Sequence, residues 1–382
     1  MNYKILFFRL ISILLLAHFC FSCKTKIECY SDKTSKSYEI RVKLKDLNSI
    51  INIPIRKDIK FVDFITKEPL VFDKKTKEAT IIKNGEYTYI NDKKALSPIS
   101  VFSEKNKMIK INDRFYFGTI TIYPESSITV INSIPIETYL LSVLPSEIPA
   151  TFKIEAMKAQ AVIARTYSIY FLRKNVDNNF DVDDSTNYQV YKGFNNVEDK
   201  YLKNIFSAVK STEGKIITYN DEPIIAYFHS NSGGKLKSGL EYFGKNSDYP
   251  YLAAKDDPYS IDSPGYNWTY DLSMDQYKTL FKTDSNLSYD AISFNDSGYA
   301  DKIKIDNAEY NSKLFRKTVG YAKLKSETFK IEILDDKIIF NGYGYGHGVG
   351  MSQWGANSMA KQNFDYKDII EFYYPNTELG YY

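Results

Sequence analysis

Residues 137–172 read ETYLLSVLPSEIPATFKIEAMKAQAVIARTYSIYFL, and the rest of the chain is organised around them. From about Phe152 onward the spacing predicts a long helix. Ile154, Met157, Ala161, Ala164, Tyr167 and Phe171 recur three and four apart, and neither Gly nor Pro interrupts the run. Ala156, Ala159, Ala161 and Ala164 are small enough to let other backbone come close. Pro145 and Pro149 bracket Ser146-Glu147-Ile148. A proline lacks the N–H that a helix interior requires, and the residue before a proline avoids helical angles. The segment is therefore expected to be a turn outside any helix, with Glu147 an acid on a rigid corner.

Residues 1–23 have the pattern of a targeting segment. Lys4 and Arg9 precede an apolar run, Leu10 to Phe21, that is short for a membrane span. The run ends Cys20-Phe21-Ser22-Cys23, which resembles a loose bacterial lipoprotein signal with Cys23 as the lipidated residue; ordinary secretion is the alternative. Residues 24–112 are then a basic tether and a β-rich N-terminal module, and residues 113–382 the remaining region. After Cys29 there is no cysteine, so the body holds neither a disulfide framework nor a thiolate zinc site. Roughly 350 residues follow the signal, enough for one large core or two smaller ones. Lys and Arg number 50 against 47 Asp and Glu, a balance that argues against nucleic acid as a partner. Between Lys24 and Lys60, by contrast, ten basic residues face five acidic ones, as suits a tether beside anionic lipid or a solvated linker.

Ile40, Val42 and Leu44 alternate with charged residues, a β pattern that continues to about Asp113 and includes a hairpin signal at Asn84-Gly85. Strands are expected at 114–123 and 127–132, a helix at 197–211, and a hairpin around Asn220-Asp221. That hairpin delivers His229-Ser230-Asn231-Ser232-Gly233-Gly234. Ser273 and Gln276 predict a capped helix over 274–281. Strands then lead to Gly342-Tyr343-Gly344-Tyr345-Gly346-His347-Gly348-Val349-Gly350-Met351-Ser352-Gln353, followed by helices at 356–361 and 366–374.

His18 lies in the signal. His229 and His347 are the remaining histidines, and each sits in a Gly/Ser-rich loop at a strand end. Loops of that kind let backbone approach a ligand and suggest one cleft shared with Glu147. A serine hydrolase would use Ser230 or Ser232 with a histidine base, but no nucleophile elbow is present. A glycan-cleaving enzyme would use Glu147 as acid and base. The usual glycosidase needs two carboxylates, and Asp183, Asp184 and Glu137 are the alternatives for a second. One carboxylate suffices where the substrate supplies its own nucleophile, as the 6-hydroxyl of a muramic acid residue does.

IETYLLSVLPSEIP, EAMKAQAVIARTY, YQVYKG, YFHSNSGG, GYGHGVGMSQWGA and FYYPNT, taken in order, resemble the SpoIID/LytB family of bacterial cell-wall proteins. The likeness runs from about Tyr116 to Tyr374. The β-rich N-terminal module lies outside it; the likeness implies that a mixed α+β catalytic region with a long central helix follows, an α+β fold in all. It implies a lytic transglycosylase acting on peptide-stripped peptidoglycan strands, with Glu147 catalytic. Other relatives are enhancers of a cell-wall amidase, which makes an amidase a candidate partner. Some members bind zinc through Cys and His ahead of the Gln-Val-Tyr motif. Here 183–188 read DDSTNY, so no metal or other cofactor is expected. The candidate cleft residues for sugar are Gln160, Gln189, Tyr191, His229, Ser230, Ser232, His347 and Gln353. Arg165 would pair with the lactyl carboxylate of muramic acid or form a buried structural ion pair. The protein is expected outside the cytoplasmic membrane, held by lipid at Cys23.

Overall fold

The computed structural model describes residues 38–382 apart from 46, 48, 125–126, 187, 195–198, 245–248, 262 and 296–298. The targeting segment, Cys23 and the basic stretch before Tyr38 lie outside the described residues. The fold is mixed α+β and divides into two compact units. One holds the chain up to Glu147 together with Asn175–Lys210. The other holds Ile148–Lys174 together with Ser211–Tyr382.

The first unit is built on a six-stranded sheet in the order Val182–Asp183, Glu39–Lys43, Ile128–Pro135, Thr119–Pro124, Ile99–Ser103, Ile59–Asp63. Ile40, Val42 and Leu44 are buried as the alternation predicts. The sheet draws strands from both sides of residue 112. A four-stranded sheet, Ile50–Pro54, Glu78–Asn84, Tyr87–Ile90 and Lys93–Lys94, lies in the same unit. Its hairpin loop is Gly85-Glu86, one residue later than the Asn84-Gly85 signal, because Asn84 pairs with Tyr87 and Gly85 takes the left-handed conformation, φ 60°.

The strand Ile128–Pro135 passes without a loop into helix α1, Ile136–Glu147. This corrects the expectation of a free-standing turn at Glu147: Pro145 and Ser146 are helical, and Glu147 is the last residue of α1. Packing overrides the local signal. Ile136, Tyr139, Leu140, Leu141, Val143 and Leu144 are all buried, each contributing roughly 1.5–3 kcal/mol. A helix-interior proline costs about 3 kcal/mol. The Ser146 hydroxyl donates to the Ser142 carbonyl at 3.2 Å, tying down the last turn beside the proline. Pro149 does end the helix, since its ring excludes Ile148 from helical angles.

In the second unit, α2 (Ile154–Lys174) is the predicted long helix. It is buried all round from Ala156 to Ile169 except at Lys158, rather than along one stripe, and Ile154 is exposed. The strand Lys215–Tyr219 and the helices Gln353–Lys361 and Tyr366–Tyr373 pack on it. Polar side chains inside α2 bond to the helix itself: Thr166 donates to the Val162 carbonyl at 2.7 Å and Ser168 to the Ala164 carbonyl at 2.9 Å. Lys215–Tyr219 turns at Asn220-Asp221, both left-handed, and its other neighbour is Glu378–Tyr381. A separate apolar cluster around Phe315, Phe329 and Phe340 fills the region between the two histidine loops. The helix Met274–Phe281 belongs to it and starts at Ser273, whose hydroxyl accepts from the Gln276 N–H.

Gly118 and Gly85 separate strain from clash. Both have positive φ, but a Cβ at Gly118 would lie 2.1 Å from the Ser133 carbonyl oxygen, whereas Gly85 has open space. Gly85→Ala should cost about 1–2 kcal/mol from the left-handed conformation alone. Gly118→Ala adds overpacking of about 1–3 kcal/mol. Denaturant midpoints of the two variants check this; equal losses would contradict the packing at Gly118.

Candidate active site

Glu147 is half-buried at the end of α1. Its Oε1 accepts the backbone N–H of Val190 at 2.7 Å. Val190 is placed by its neighbours. Gln189 and Tyr191 are buried on either side of it; Tyr139 Oη donates to Gln189 Oε1 at 3.3 Å, and Tyr191 Oη donates to Asn132 Oδ1 at 2.7 Å. Ser142, one turn before Ser146 on α1, donates to the Gly193 carbonyl at 2.6 Å and fixes the far end of the same segment. Both aromatic rings pack together, Tyr139 against Tyr191 at 5.1 Å between centroids. The sequence pointed to Gln189 and Tyr191 as sugar contacts; in the structure their polar groups hold the segment that presents the Val190 N–H. Burial raises the pKa of Glu147, while the Val190 N–H and the Lys192 ammonium pull it back without cancelling the rise.

The other carboxylates considered are committed elsewhere. Glu137 is on the first turn of α1, ten residues from Glu147, so about 15 Å away along the axis at 1.5 Å per residue. Asp183 pairs with Lys45 at 2.7 Å and accepts from the Ser185 N–H at 2.9 Å, and Asp184 accepts the Lys45 N–H at 3.1 Å. Among the described residues no group of three or more His, Cys, Asp or Glu is placed to hold a metal ion.

The second unit holds the remaining candidates. Phe228–His229 pairs in parallel with Met351–Ser352, so the two glycine-rich loops lie side by side. The His229 and His347 rings are 5.3 Å apart between centroids. His229 Nδ1 lies 3.1 Å from the Val349 carbonyl, which makes it the protonated nitrogen. His347 Nδ1 accepts the Val349 N–H at 3.1 Å. Burial pushes His229 well below its ordinary pKa and His347 down to about 4, so both rings are neutral at pH 7.

Ser232 donates to Asp257 Oδ2 at 2.7 Å rather than to a histidine. Asp257 is fully buried and also accepts from Ser260 at 2.5 Å and Tyr373 at 3.2 Å. Ser260 in turn meets the Ser352 hydroxyl at 2.6 Å. Sequence reasoning missed Asp257, because two of its three side-chain partners, Ser232 and Tyr373, come from distant segments and no local motif marks it. Arg165 has no exposed surface and donates to the Lys215 carbonyl at 3.1 Å, which fits the interior role of the two left open. Gln353 Nε2 donates to Gln160 Oε1 at 3.3 Å, and the Ser230 carbonyl accepts from the Trp354 N–H at 3.0 Å. Two buried atoms of these candidates, Gln160 Nε2 and His229 Nε2, have no hydrogen-bond partner among the described residues.

The chain that sets this half-buried glutamate on a helix end matches, over residues 124–219, the family model described as Stage II sporulation protein. Stage II sporulation protein D of Bacillus subtilis is 35% identical over 276 residues, covering 69% of this chain and 79% of that one. An uncharacterized protein of Brachyspira hyodysenteriae is 33% identical over 350 residues, 89% of this chain and 92% of its own. The amidase enhancer of Bacillus subtilis is 31% identical over 300 residues, 64% of this chain and 40% of its own. The chain belongs to the SpoIID family.

The raised pKa of Glu147 has a sign that can be measured. A carboxyl whose folded pKa lies above its unfolded value stabilises least once pH has risen through the folded pKa. Glu147→Gln never ionises and its side-chain carbonyl can still accept from Val190. Its melting temperature should match the wild type at pH 4 and exceed it at pH 8. A variant that melts lower at pH 8 would sink this account.

Proposed function

We propose that the protein is an exported cell-wall protein that cleaves peptidoglycan glycan strands between N-acetylmuramic acid and N-acetylglucosamine. The reaction is lytic transglycosylation, and Glu147 is its acid and base. The observation that carries this reading is the solitary, half-buried glutamate whose Oε1 is fixed by the Val190 N–H. Paired-carboxylate glycosidases need their two groups roughly 5–9.5 Å apart. Glu137 is too distant and Asp183 is bound to Lys45, so the single-carboxylate route fits.

With Oε1 occupied as an acceptor, the proton resides on Oε2. Oε2 gives it to the glycosidic oxygen as the C1–O bond breaks, and C1 gains oxocarbenium character. The same carboxylate then takes the proton from the 6-hydroxyl, whose oxygen bonds to C1 and closes the 1,6-anhydro ring. The proton count balances: one given, one recovered, and no water consumed. Burial raises the pKa of Glu147 and so favours the protonated starting form. Gln189 and Tyr191 keep the segment that presents the Val190 N–H in place beside Glu147. Lipid at Cys23 would hold the protein at the outer face of the membrane.

The likeness to the amidase enhancer favours a second reading, in which the protein binds glycan and stimulates a cell-wall amidase without cutting.

Glu147→Gln should lower release of 1,6-anhydro-muramyl products from peptide-stripped strands by about 10²–10⁴-fold or more, since one residue fills both proton roles. Glu155→Gln is the control. Glu155 pairs with Lys158 at 2.6 Å and accepts the Tyr366 N–H at 3.1 Å, and it has no role in the proposed steps. Mass spectrometry of the products decides. Equal rates for wild type and Glu147→Gln would remove Glu147 as catalyst; no product from wild type, with an amidase stimulated, would establish the enhancer reading.

The acid is lost as pH rises through the pKa of Glu147, so that pKa sets the alkaline limb of the activity profile. Lys192 lowers it. Lys192→Gln should therefore shift the limb to higher pH, and a shift to lower pH would contradict the assignment.

A further inference from the structure

The strand Ile59–Asp63 is the outer strand of the six-stranded sheet in the first unit. The chain after it folds back along its edge: Leu70 N–H donates to the Phe61 carbonyl at 2.8 Å and Asp63 N–H to the Glu68 carbonyl at 2.9 Å. Between the strand and the returning segment opens a hollow of about 820 Å³, within the size range of small-molecule sites. Phe72 and Phe102 line it and are only half-buried, so part of each ring is available. Phe61 packs edge-on against Phe72 at 5.0 Å between centroids and holds that ring in place.

The charges around this hollow do not balance. Arg56 is paired with Asp58 at 3.1 Å and Lys60 with Glu104 at 3.4 Å. Asp73 Oδ1 accepts the Lys75 N–H at 2.9 Å. Lys57, Lys74 and Lys77 also line the hollow and are exposed; their ammonium groups hold no ion pair or hydrogen bond among the described residues, while the Lys77 carbonyl accepts the Ile55 N–H at 2.8 Å. Three ammonium groups against the one carboxylate of Asp73 leave the hollow an excess of two positive charges beside two accessible aromatic rings, a site for a ligand with an apolar face and a negative charge. A sugar ring has such a face on its C–H side, and a carboxylate supplies the charge.

We propose that this hollow binds an acidic glycan, with the sugar ring on Phe72 and Phe102 and the carboxylate among Lys57, Lys74 and Lys77. It rests on the reading that glycan strands are the substrate. A peptide-stripped muramic acid residue carries a free lactyl carboxylate, so such a strand presents one negative charge per disaccharide. The N-terminal β module then holds the strand while Glu147 cuts it, and favours strands from which the peptides have been removed.

The test uses the full chain carrying Glu147→Gln, so that strands survive the measurement, with and without Lys57→Gln, Lys74→Gln and Lys77→Gln together. The probes are fluorescently labelled peptide-stripped strands and the same strands with their lactyl carboxylates converted to methyl amides. Losing three exposed charge contacts should weaken binding of the charged strands by about 10- to 100-fold. It should leave the amidated strands unaffected and flatten the salt dependence. The lysines are exposed, so an unchanged melting temperature accompanies the result. Equal affinity of both proteins for charged strands overturns the proposal while leaving cleavage by Glu147 to stand on its product assay. Competition by poly-glutamate as strong as by the strands overturns it too, because the surface would then take any polyanion. Failure of both proteins to bind any strand overturns it, and absence of 1,6-anhydro products from wild type would show that the glycan reading fails with it.

Discussion

Two glycine-rich loops, more than a hundred residues apart in the chain, are joined backbone to backbone, and the second unit depends on that join. The Phe228–His229 and Met351–Ser352 ladder is only two residues long. It is extended by a reciprocal pair, Asn231 N–H to the Tyr345 carbonyl at 3.0 Å and Tyr345 N–H to the Asn231 carbonyl at 2.8 Å. The approach is too close for side chains. A Cβ at Gly350 would fall 1.9 Å from the Tyr227 carbonyl oxygen, and one at Gly346 would fall 2.7 Å from His229 Cβ. The glycines are there because backbone must touch backbone, and the histidines are brought together as a result. Asp257 secures the join from behind. Its carboxylate takes hydroxyls from Ser232, Ser260 and Tyr373, so the first loop and a C-terminal helix meet it directly and the second loop through the Ser260–Ser352 contact. A buried carboxylate is costly unless its lone pairs are filled, and here they are filled by groups the fold has to align.

The first unit solves a different problem, that of raising the pKa of a carboxyl without isolating it. Full burial with no partner would raise the pKa of Glu147 further, but would leave its orientation free. The Val190 N–H fixes one oxygen and gives back part of the rise. That N–H is available because Val190 lies in an extended segment pinned on both sides, by Gln189 to Tyr139 and by Tyr191 to Asn132. The Gln-Val-Tyr motif is thus a way of aiming a peptide group, with its two named side chains turned inward and the middle residue contributing only backbone.

Much of this was legible in the sequence, where the signal was local. The long helix, the alternation of Ile40, Val42 and Leu44, the left-handed Asn220-Asp221 turn and the Ser273 cap depend on neighbours a few residues away. Glu147 stood out because two prolines surround it. Its setting was misread for the same reason: a proline was taken to forbid a helix, and the buried face of α1 outweighed it. The pairing of Lys215–Tyr219 with the chain's last strand, the Asp257 hub and the partner of Glu147 were not legible. Each joins segments separated by tens of residues or more, and a lone Asp in a Tyr-, Asp- and Pro-rich stretch carries no mark of burial. The same holds for α2, whose alanines announced close packing but not that it would be buried all round.

The division of labour between the two carboxyl oxygens follows from these constraints. A residue that must give a proton and then take one back works best if the same oxygen does both, for then the side chain need not turn between steps. Rotation about the last torsion of a free glutamate is easy, since terminal sp³–sp² torsions are broad. A hydrogen bond of 2.7 Å to a peptide group that is itself held in place removes that freedom. On the proposed mechanism, pre-organisation of this kind would act on the barrier and not on substrate affinity, because the fixed oxygen touches protein and the other one would meet the glycosidic bond. The half-exposed position of Glu147 at a helix end is consistent with this: deep enough to favour the acid form, and open enough for a sugar oxygen to reach Oε2.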